Sequence, residues 1–252
     1  MNYVIFRGVA TSAPSGAIPT ALFSTQLSDT IVGKMPAKKK AGMRYSEYYV
    51  KGRDGALHVD EGLSNFPMQM SLQLANASVD KKYQVNAWAD GTGKLIVSDD
   101  VYYVSDVLVA KAYKASVKGE VKWSRVEGNG GYFDRADITF DCQPYMVEAI
   151  DSQVTMTESG SILNPGSAVS YPLIQVNGAG DASFSVNGSE IQIDDMTANV
   201  PVYIDCDTGY VYTESGATSI RGEIPYFDFG TNVITIGSGV TSLVITPHWR
   251  WI

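Results

Sequence analysis

Two short acidic motifs contain the residues best placed to do chemistry. Asp205, Asp207 and Gly209 follow the spacing found at the start of a calcium-binding loop. The motif lacks the third acidic position and the distal glutamate of an EF-hand loop, and strand-like segments flank it, so we interpret it as a hairpin turn. Asp99 and Asp100 could form a carboxylate pair for acid–base catalysis, but they join two strand-like segments without a nearby histidine. A turn is again the better interpretation.

The two histidines, His58 and His248, point to neither a metal centre nor an active site. A zinc site needs cysteine or histidine partners at short spacing, and neither histidine has them. Sequence alone leaves a Ser-His-Asp triad open, although neither histidine lies in a recognisable nucleophile context. The chain also lacks a Walker loop and a dinucleotide-binding fingerprint. We therefore predict no catalytic residues, no metal ligands and no cofactors.

Other residues could bind ligands without doing chemistry. Trp249 and Trp251 could stack on sugar rings, but they share the alternation of Leu243 and Ile245, which predicts core positions. The basic triplet Lys38–Lys40 is a weak patch, typical of a solvated loop.

Composition and charge exclude several classes of protein. With 252 residues, 44% hydrophobic and 18% charged, the chain can form one large or two ordinary packed domains. A net charge of −8 repels phosphate, which argues against sequence-specific nucleic-acid binding. No apolar run reaches the roughly 20 residues of a membrane helix, and the N-terminus lacks a signal-peptide pattern. Because the two cysteines, Cys142 and Cys206, are far apart, we expect folding in a reducing compartment such as the cytoplasm.

Residues 1–145 are predicted to form a β domain with one helix. The helix covers Ser78–Ala89, because Ser78 can cap its start. The residues predicted to face the core from this helix are Val79, Tyr83, Ala87 and Trp88. The predicted strands are Met1–Phe6, Arg44–Val50, Ala56–Val59, Pro67–Leu74, Lys94–Val97, Val101–Val107, Leu108–Val121, Lys122–Val126 and Asp137–Gln143. Gly8–Ile18 is predicted to be a loop or arm, and Pro144-Tyr145 to end the last strand.

Residues 146–252 are predicted to form a β-sandwich. Asn187-Gly188 is a favoured two-residue hairpin turn. Counting outward from it places Phe184 opposite Ile191 on an apolar face, and Ser185 opposite Glu190 on a polar face. Further strands are predicted over Val200–Cys206, Tyr210–Thr213, Phe227–Phe229, Val233–Ile236 and Leu243–Ile252. The fold class is therefore mainly β, with two β-sandwich-like domains.

Three segments of the second half carry a family resemblance: PLIQVNGAGDASFSVNGSEIQI, VPVYIDCDTGYVY and GTNVITIGSGVTSLVITPHWRWI. They resemble the distal tail protein (Dit) family of long-tailed phages that infect Gram-positive bacteria. The first half agrees more weakly, through YYVKGRDGAL, the helix that ends in Trp88, GKLIVSDDVYY and ITFDCQPY. The resemblance covers nearly the whole chain.

The resemblance implies a structural protein of a phage or prophage tail tip, not an enzyme. In such a protein the first domain forms a hexameric ring that joins the tail-tube protein to a hub or fibre protein. Tape-measure and receptor-binding proteins are further candidate partners. The second domain is expected to be a galectin-like sandwich that faces outward, and assembly is expected in the bacterial cytoplasm.

Two alternatives belong to other classes. The sandwich could be a carbohydrate-binding module that contacts host cell-wall glycans through Trp249 or Trp251. More distantly, two carboxylates at suitable separation could make the protein a glycosidase.

The hairpin register makes a first testable prediction. If the Phe184 ring is in the core, Phe184→Ala should lower the free energy of unfolding by about 3–5 kcal/mol, measured by urea titration. A loss below about 1 kcal/mol would show that the inward face is assigned wrongly.

Overall fold

The computed structural model describes residues 2–12, 18–37, 41–75, 77–128 and 131–252. The chain divides after Ala149 into two compact units. The basic triplet Lys38–Lys40 lies outside the described residues. Among those that are described, no helix has the length and apolar character that crossing a bilayer requires.

The first unit is built mainly from strands and has one α-helix among its described residues, α1 (Val79–Trp88). Two single 3₁₀ turns lie at Thr20–Leu22 and Ser98–Asp100. The strands are β1 (Val4–Phe6), β2 (Val9–Thr11), β3 (Thr25–Leu27), β4 (Thr30–Lys34), β5 (Met43–Tyr49), β6 (Ala56–Leu63), β7 (Phe66–Ala75), β8 (Thr92–Val97), β9 (Val101–Val104), β10 (Val107–Val117), β11 (Lys122–Gly128) and β12 (Gly131–Glu148).

The long strand β12 organises the main sheet of this unit, whose strand order is β3-β2-β1-β8-β10-β12-β7-β4. One edge of β12 pairs with β7, and the other pairs with β11 and then β10. The inward side chains of β12 alternate as predicted, with Ile138, Phe140 and Cys142 buried. Strands β5 and β6 pair only with each other among the described residues.

The helix α1 begins as predicted but packs through a different face. The Ser78 hydroxyl accepts the backbone N–H of Lys81 at 3.2 Å, which caps the helix. Val85 and Trp88 are buried, whereas the predicted inward residues Val79, Tyr83 and Ala87 are exposed. At about 100° per residue, Trp88 lies on the opposite side of the helix from Val79, so one face cannot bury both.

The large indole decides which face of α1 packs inward. It buries more apolar area than the valine and alanine of the predicted stripe. Its Nε1 also donates a hydrogen bond to the Val9 carbonyl at 3.0 Å, so its one polar group is satisfied in the interior. The prediction was right for Trp88 and wrong for Val79, Tyr83 and Ala87, because the face was assigned from their spacing and not from the size of Trp88.

An ion pair reinforces the contact between helix and sheet. Asp134 of β12 is buried, and its Oδ1 lies 3.1 Å from Lys82 Nζ and 3.6 Å from Arg125 Nε. The same Lys82 ammonium lies 5.3 Å from the centre of the Trp123 ring, whose Nε1 donates to Asn86 Oδ1. Polar residues of α1 thus bind groups on β11 and β12.

Three predicted boundaries in this unit were wrong. Gly8–Ile18 is not all loop, because it contains β2; its residues 13–17 lie outside the described part. Ser105 and Asp106, at φ +47° and +64°, form a two-residue turn that divides Val101–Val107 and joins β9 to β10. Strand β12 continues past Pro144, because the register shifts there and a proline without an N–H fits such a bulge.

The second unit, residues 150–251, is a sandwich of two antiparallel sheets. Its strands are β13 (Val154–Met156), β14 (Gly160–Asn164), β15 (Leu173–Gly178), β16 (Gly180–Val186), β17 (Ser189–Met196), β18 (Val202–Asp205), β19 (Tyr210–Thr213), β20 (Gly216–Ala217), β21 (Arg221–Gly222), β22 (Gly230–Ile236), β23 (Val240–Thr246) and β24 (Arg250–Trp251). One sheet has the order β13-β23-β15-β18-β19-β20 and the other β14-β22-β16-β17-β21. The mainly β fold class is therefore confirmed.

The hairpin of β16 and β17 has the predicted register. Phe184 lies opposite Ile191 and Ser185 opposite Glu190. Asn187 and Gly188 both have positive φ, +51° and +86°, as a tight two-residue hairpin turn requires. Phe184 is buried in the sandwich core.

The last predicted strand, Leu243–Ile252, is interrupted. Strand β23 ends at Thr246, and His248 has a φ of +53°, so the alternation does not continue. Trp249 nevertheless enters the core, with its ring 5.7 Å from that of Phe227. Trp251 is half-buried and packs against the same cluster.

The predicted Phe227–Phe229 strand was also wrong. Phe227 makes only a single bridge, to Ser170, and Phe229 is exposed.

Both cysteines are free and buried, which suits small hydrophobic side chains. Burial, followed by the neighbouring charge of Asp141, raises the pKa of Cys142 to about 12. Burial and then the charge of Asp205 raise the pKa of Cys206 to about 12 as well.

The two thiols should therefore resist DTNB at about pH 8 in the folded protein and react at once in denaturant. Because their folded-state pKa, about 12, exceeds the unfolded value of 9.0, the folded protein holds these protons more tightly. This contribution to stability is complete below about pH 9 and is lost as the pH rises towards 12. Urea titrations should show that loss, and a Cys142→Ala, Cys206→Ala variant should lack this component. Rapid labelling of the folded protein would contradict the burial.

Candidate assembly surface

The acidic motif of the second unit is used as a turn. Asp205 Oδ1 accepts the backbone N–H groups of Asp207 at 3.0 Å and Thr208 at 3.3 Å. Gly209, at φ +71°, completes the β18–β19 hairpin, as predicted. Asp207 Oδ1 accepts a hydrogen bond from Arg250 Nη2 at 2.7 Å. Both carboxylates therefore already have protein donors, and the described residues contain no cluster suited to hold a metal ion.

The other residues considered for chemistry are not brought together. Asp99 and Asp100 lie in the 3₁₀ turn between β8 and β9, where Asp100 is buried. Burial and then the charge of Asp100 raise the pKa of Tyr113 to about 12. His248 Nδ1 lies 3.2 Å from the Tyr171 carbonyl in the second unit, whereas His58 is on β6 of the first.

His58 belongs to an exposed hairpin formed by β5 and β6, which we call the Tyr hairpin (Met43–Leu63). Its two strands pair from Met43 with Leu63 to Tyr49 with Ala56. The connecting loop has glycines at positive φ, Gly52 at +83° and Gly55 at +77°.

One face of the Tyr hairpin is polar and internally ordered. The Tyr45 and His58 rings stack with centroids 4.8 Å apart. His58 Nε2 lies 3.7 Å from Glu47 Oε1, and the Tyr49 hydroxyl donates to Glu47 Oε2 at 3.0 Å. These contacts order the four side chains within the face.

The opposite face is open and carries three apolar side chains, together with Ser46, which lies across from Val59 and donates to the Glu61 carboxylate. Tyr48 lies across from Leu57, and Val59 follows on the same face. They are 57%, 38% and 51% exposed, respectively. A two-stranded sheet without a core beneath it is marginally stable by itself. The apolar face of the Tyr hairpin is therefore suited to pack against another surface.

Two more exposed apolar groups lie on the first unit. The hairpin between β9 and β10, which we call the Asp106 hairpin, exposes Tyr102, Tyr103, Val104 and Val107. The outer face of α1 exposes Val79 and Tyr83. Sequence reasoning missed all three surfaces as sites. One signal was available in the sequence: neither face of RYSEYYV is cleanly apolar by itself. The apolar neighbours Leu57 and Val59 come from the partner strand, so this segment alone does not show them.

Comparison with known proteins relates the fold to phage tails. No protein-family model and no curated protein sequence matches the chain. Among solved structures, the Dit protein of phage SPP1, described as a paradigm of the hub adsorption apparatus in phages that infect Gram-positive bacteria, has a similar fold. The TM-score is 0.68 and the identity 15%, over 100% of both chains. The resemblance to the Dit family is thus confirmed at the level of the fold.

A more distant likeness is to a chain of the phage P2 baseplate in its activated conformation with calcium. It has a TM-score of 0.41 and 8% identity, over 86% of this chain and 89% of that chain.

The engaged carboxylates of Asp205 and Asp207 make a prediction about calcium. Adding about 5 mM calcium chloride should shift the Tm by less than about 1 °C, because the Asp205 and Asp207 carboxylates already accept protein donors. Thermal melts with calcium, with magnesium and with EDTA measure this. A calcium-specific rise of several degrees that EDTA reverses would show that the turn is a metal site.

Proposed function

We propose that the protein is a structural hub of a phage or prophage tail tip. In this role six copies form a ring through their first units, while the second, galectin-like unit faces outward. The ring joins the tail-tube protein to the tail-associated hub or fibre and host-adhesion proteins. The protein works without catalysis, at the tail tip of the virion, after assembly in the bacterial cytoplasm.

The observation that carries this proposal is the full-length likeness to the SPP1 Dit fold, at a TM-score of 0.68. Both chains are covered completely, so the likeness extends to the order of the two units along the chain and not only to one common sandwich. Fold by itself does not specify function. The exposed surfaces of the first unit supply the second argument.

A closed ring of identical subunits needs two different surfaces on each subunit, because each copy contacts one neighbour with one patch and the other neighbour with another. The first unit has separate apolar surfaces of this kind. The apolar face of the Tyr hairpin is one, and the Asp106 hairpin and the outer face of α1 offer candidates for the second. Soluble monomers rarely expose large contiguous apolar patches, so these exposed side chains suit an interface.

The energetic contribution of the Tyr hairpin to a ring would be large. Burial of a side chain such as Leu57 or Val59 contributes about 1.5–3 kcal/mol. The hairpin repeats once in every copy, so the gain recurs at each interface of a closed ring. Docking would also stabilise the hairpin itself, which has no core of its own beneath it.

The ring makes a prediction about mass. At concentrations up to about 100 µM the full chain should form particles of six times the monomer mass, since association depends on concentration. The double variant Tyr48→Ser, Val59→Ser should stay monomeric, because a polar face contributes little to burial. Mass photometry and negative-stain images measure both results.

The matched control lies on the other face of the same hairpin. Tyr45→Ser with Tyr49→Ser removes two tyrosines that are 52% and 79% exposed on the polar face, and should leave the ring intact. The Tm of each variant shows that the units remain folded. A wild-type chain that stays monomeric even when mixed with a tail-tube protein would contradict the proposal.

A further inference from the structure

Three stacked tyrosines lie on the outer face of the β18–β19 hairpin, in the second unit. Tyr203 lies across from Tyr212, with ring centroids 5.1 Å apart and planes at 16°. Tyr210 stacks on Tyr212 at 5.4 Å and 20°. These separations exceed the roughly 3.5 Å contact between fully overlapping rings, so the rings overlap only in part. Tyr210 is 51% exposed, and Tyr203 and Tyr212 are half-buried, so the stack presents apolar ring surface to solvent.

Two oriented amides lie beside this stack. Gln175 of β15 lies across from Tyr203, and its Nε2 donates to Asn177 Oδ1 at 3.0 Å. Asn177 Nδ2 in turn donates to Ser242 Oγ at 3.0 Å. Each amide nitrogen carries two N–H groups and each oxygen two lone pairs, so both side chains keep hydrogen-bonding capacity. The chain of hydrogen bonds holds that capacity in fixed positions.

A cleft continues from the amides. Asn177 lines it together with Asn199, Val200, Pro201 and Thr241, and its volume is about 460 Å³. That volume lies within the range of about 300–1,000 Å³ typical of small-ligand sites. Asn177 belongs to both the hydrogen-bonded chain and the cleft, so the cleft adjoins the amides.

The charge and polarity of this surface limit what it can bind. The tyrosines, Gln175, Asn177 and Ser242 are all uncharged, in a chain with a net charge of −8. Asp205, two residues after Tyr203 on the same strand, already accepts two backbone N–H groups. A neutral ligand is therefore favoured over an ionic one. A purely apolar partner would bury the amides without hydrogen bonds, which costs about 1–3 kcal/mol for each group.

We propose that this tyrosine–amide face binds a neutral polysaccharide. A pyranose ring has apolar C–H faces that can pack on the open tyrosine faces, and its hydroxyls both donate to and accept from amides. The surface thus places one sugar on the tyrosine stack and the next against Gln175 and Asn177. The assignment stands apart from the ring proposed above, because it concerns only residues of the second unit.

The test uses the full chain and a defined panel of probes. These are hexasaccharides of β-linked glucose, β-linked N-acetylglucosamine, α-linked mannose and α-linked glucose, titrated by isothermal calorimetry. At least one should bind, and Tyr210→Ala should weaken that binding by about tenfold through loss of one stacking contact. Tyr226→Ala is the matched control, because Tyr226 is 49% exposed in the same unit and Tyr210 is 51% exposed.

Each outcome of these titrations either supports or overturns the proposed site. Binding that is lost in Tyr210→Ala and in Gln175→Ala, but kept in Tyr226→Ala, supports the assignment. No binding to any of the four probes overturns it, as does binding that Tyr210→Ala leaves unchanged. Tyr210 rather than Tyr212 is substituted because it is the most exposed of the three rings, so the variant keeps its fold, which its Tm verifies. If the chain is monomeric but still binds sugar, the result supports this site and contradicts only the proposed ring.

Discussion

The contact among three buried rings, Phe6, Trp88 and Phe140, is the interaction on which the first unit depends. The rings meet edge to face, with centroids 5.0 to 6.3 Å apart. They come from the first strand, the helix and the central strand, which are far apart in the sequence. Apart from Trp88, α1 buries only Val85, so the indole is what joins the helix to the sheet. Because the indole faces the sheet, Val79 and Tyr83 face outward, where they belong to the exposed apolar surface that we propose for assembly.

The second unit is held by apolar alternation together with buried amides. Asn232 is fully buried, and its Oδ1 accepts the Asp228 N–H and the Asn187 side-chain N–H, each at 2.8 Å. Asn164 is also buried and donates to the Asp228 carbonyl at 3.1 Å. A buried amide left without partners would cost about 1–3 kcal/mol, so these bonds restrict how the loops can close. They link the tip of the β16–β17 hairpin to the loop before β22.

Both the proposed ring and the proposed polysaccharide site depend on aromatic residues that lie outside the two cores. In the first unit they lie on the Tyr hairpin, on the Asp106 hairpin and on α1, and we propose that they contact other copies. In the second unit they lie beside amides on a sheet, which suits a ligand with both C–H and hydroxyl groups. The two proposals thus place assembly on one compact unit and recognition on the other, and each unit has its own core and its own exposed aromatic surface.

Local patterns in the sequence determined the mainly β fold class, the Ser78 cap and the register about Asn187-Gly188. Each depends on residues close together in the chain, where turn geometry and alternation act directly. Tertiary structure alone decided which face of α1 is buried, that His248 interrupts the last strand, and that Pro144 lies inside β12. It also brought together the residues of both candidate surfaces, the apolar face of the Tyr hairpin and the tyrosine–amide face. Tyr48 gains its apolar neighbours from a second strand, and the tyrosine stack meets Gln175 only when β15 pairs with β18. Such contacts depend on distances between remote residues, and a linear pattern does not contain those distances.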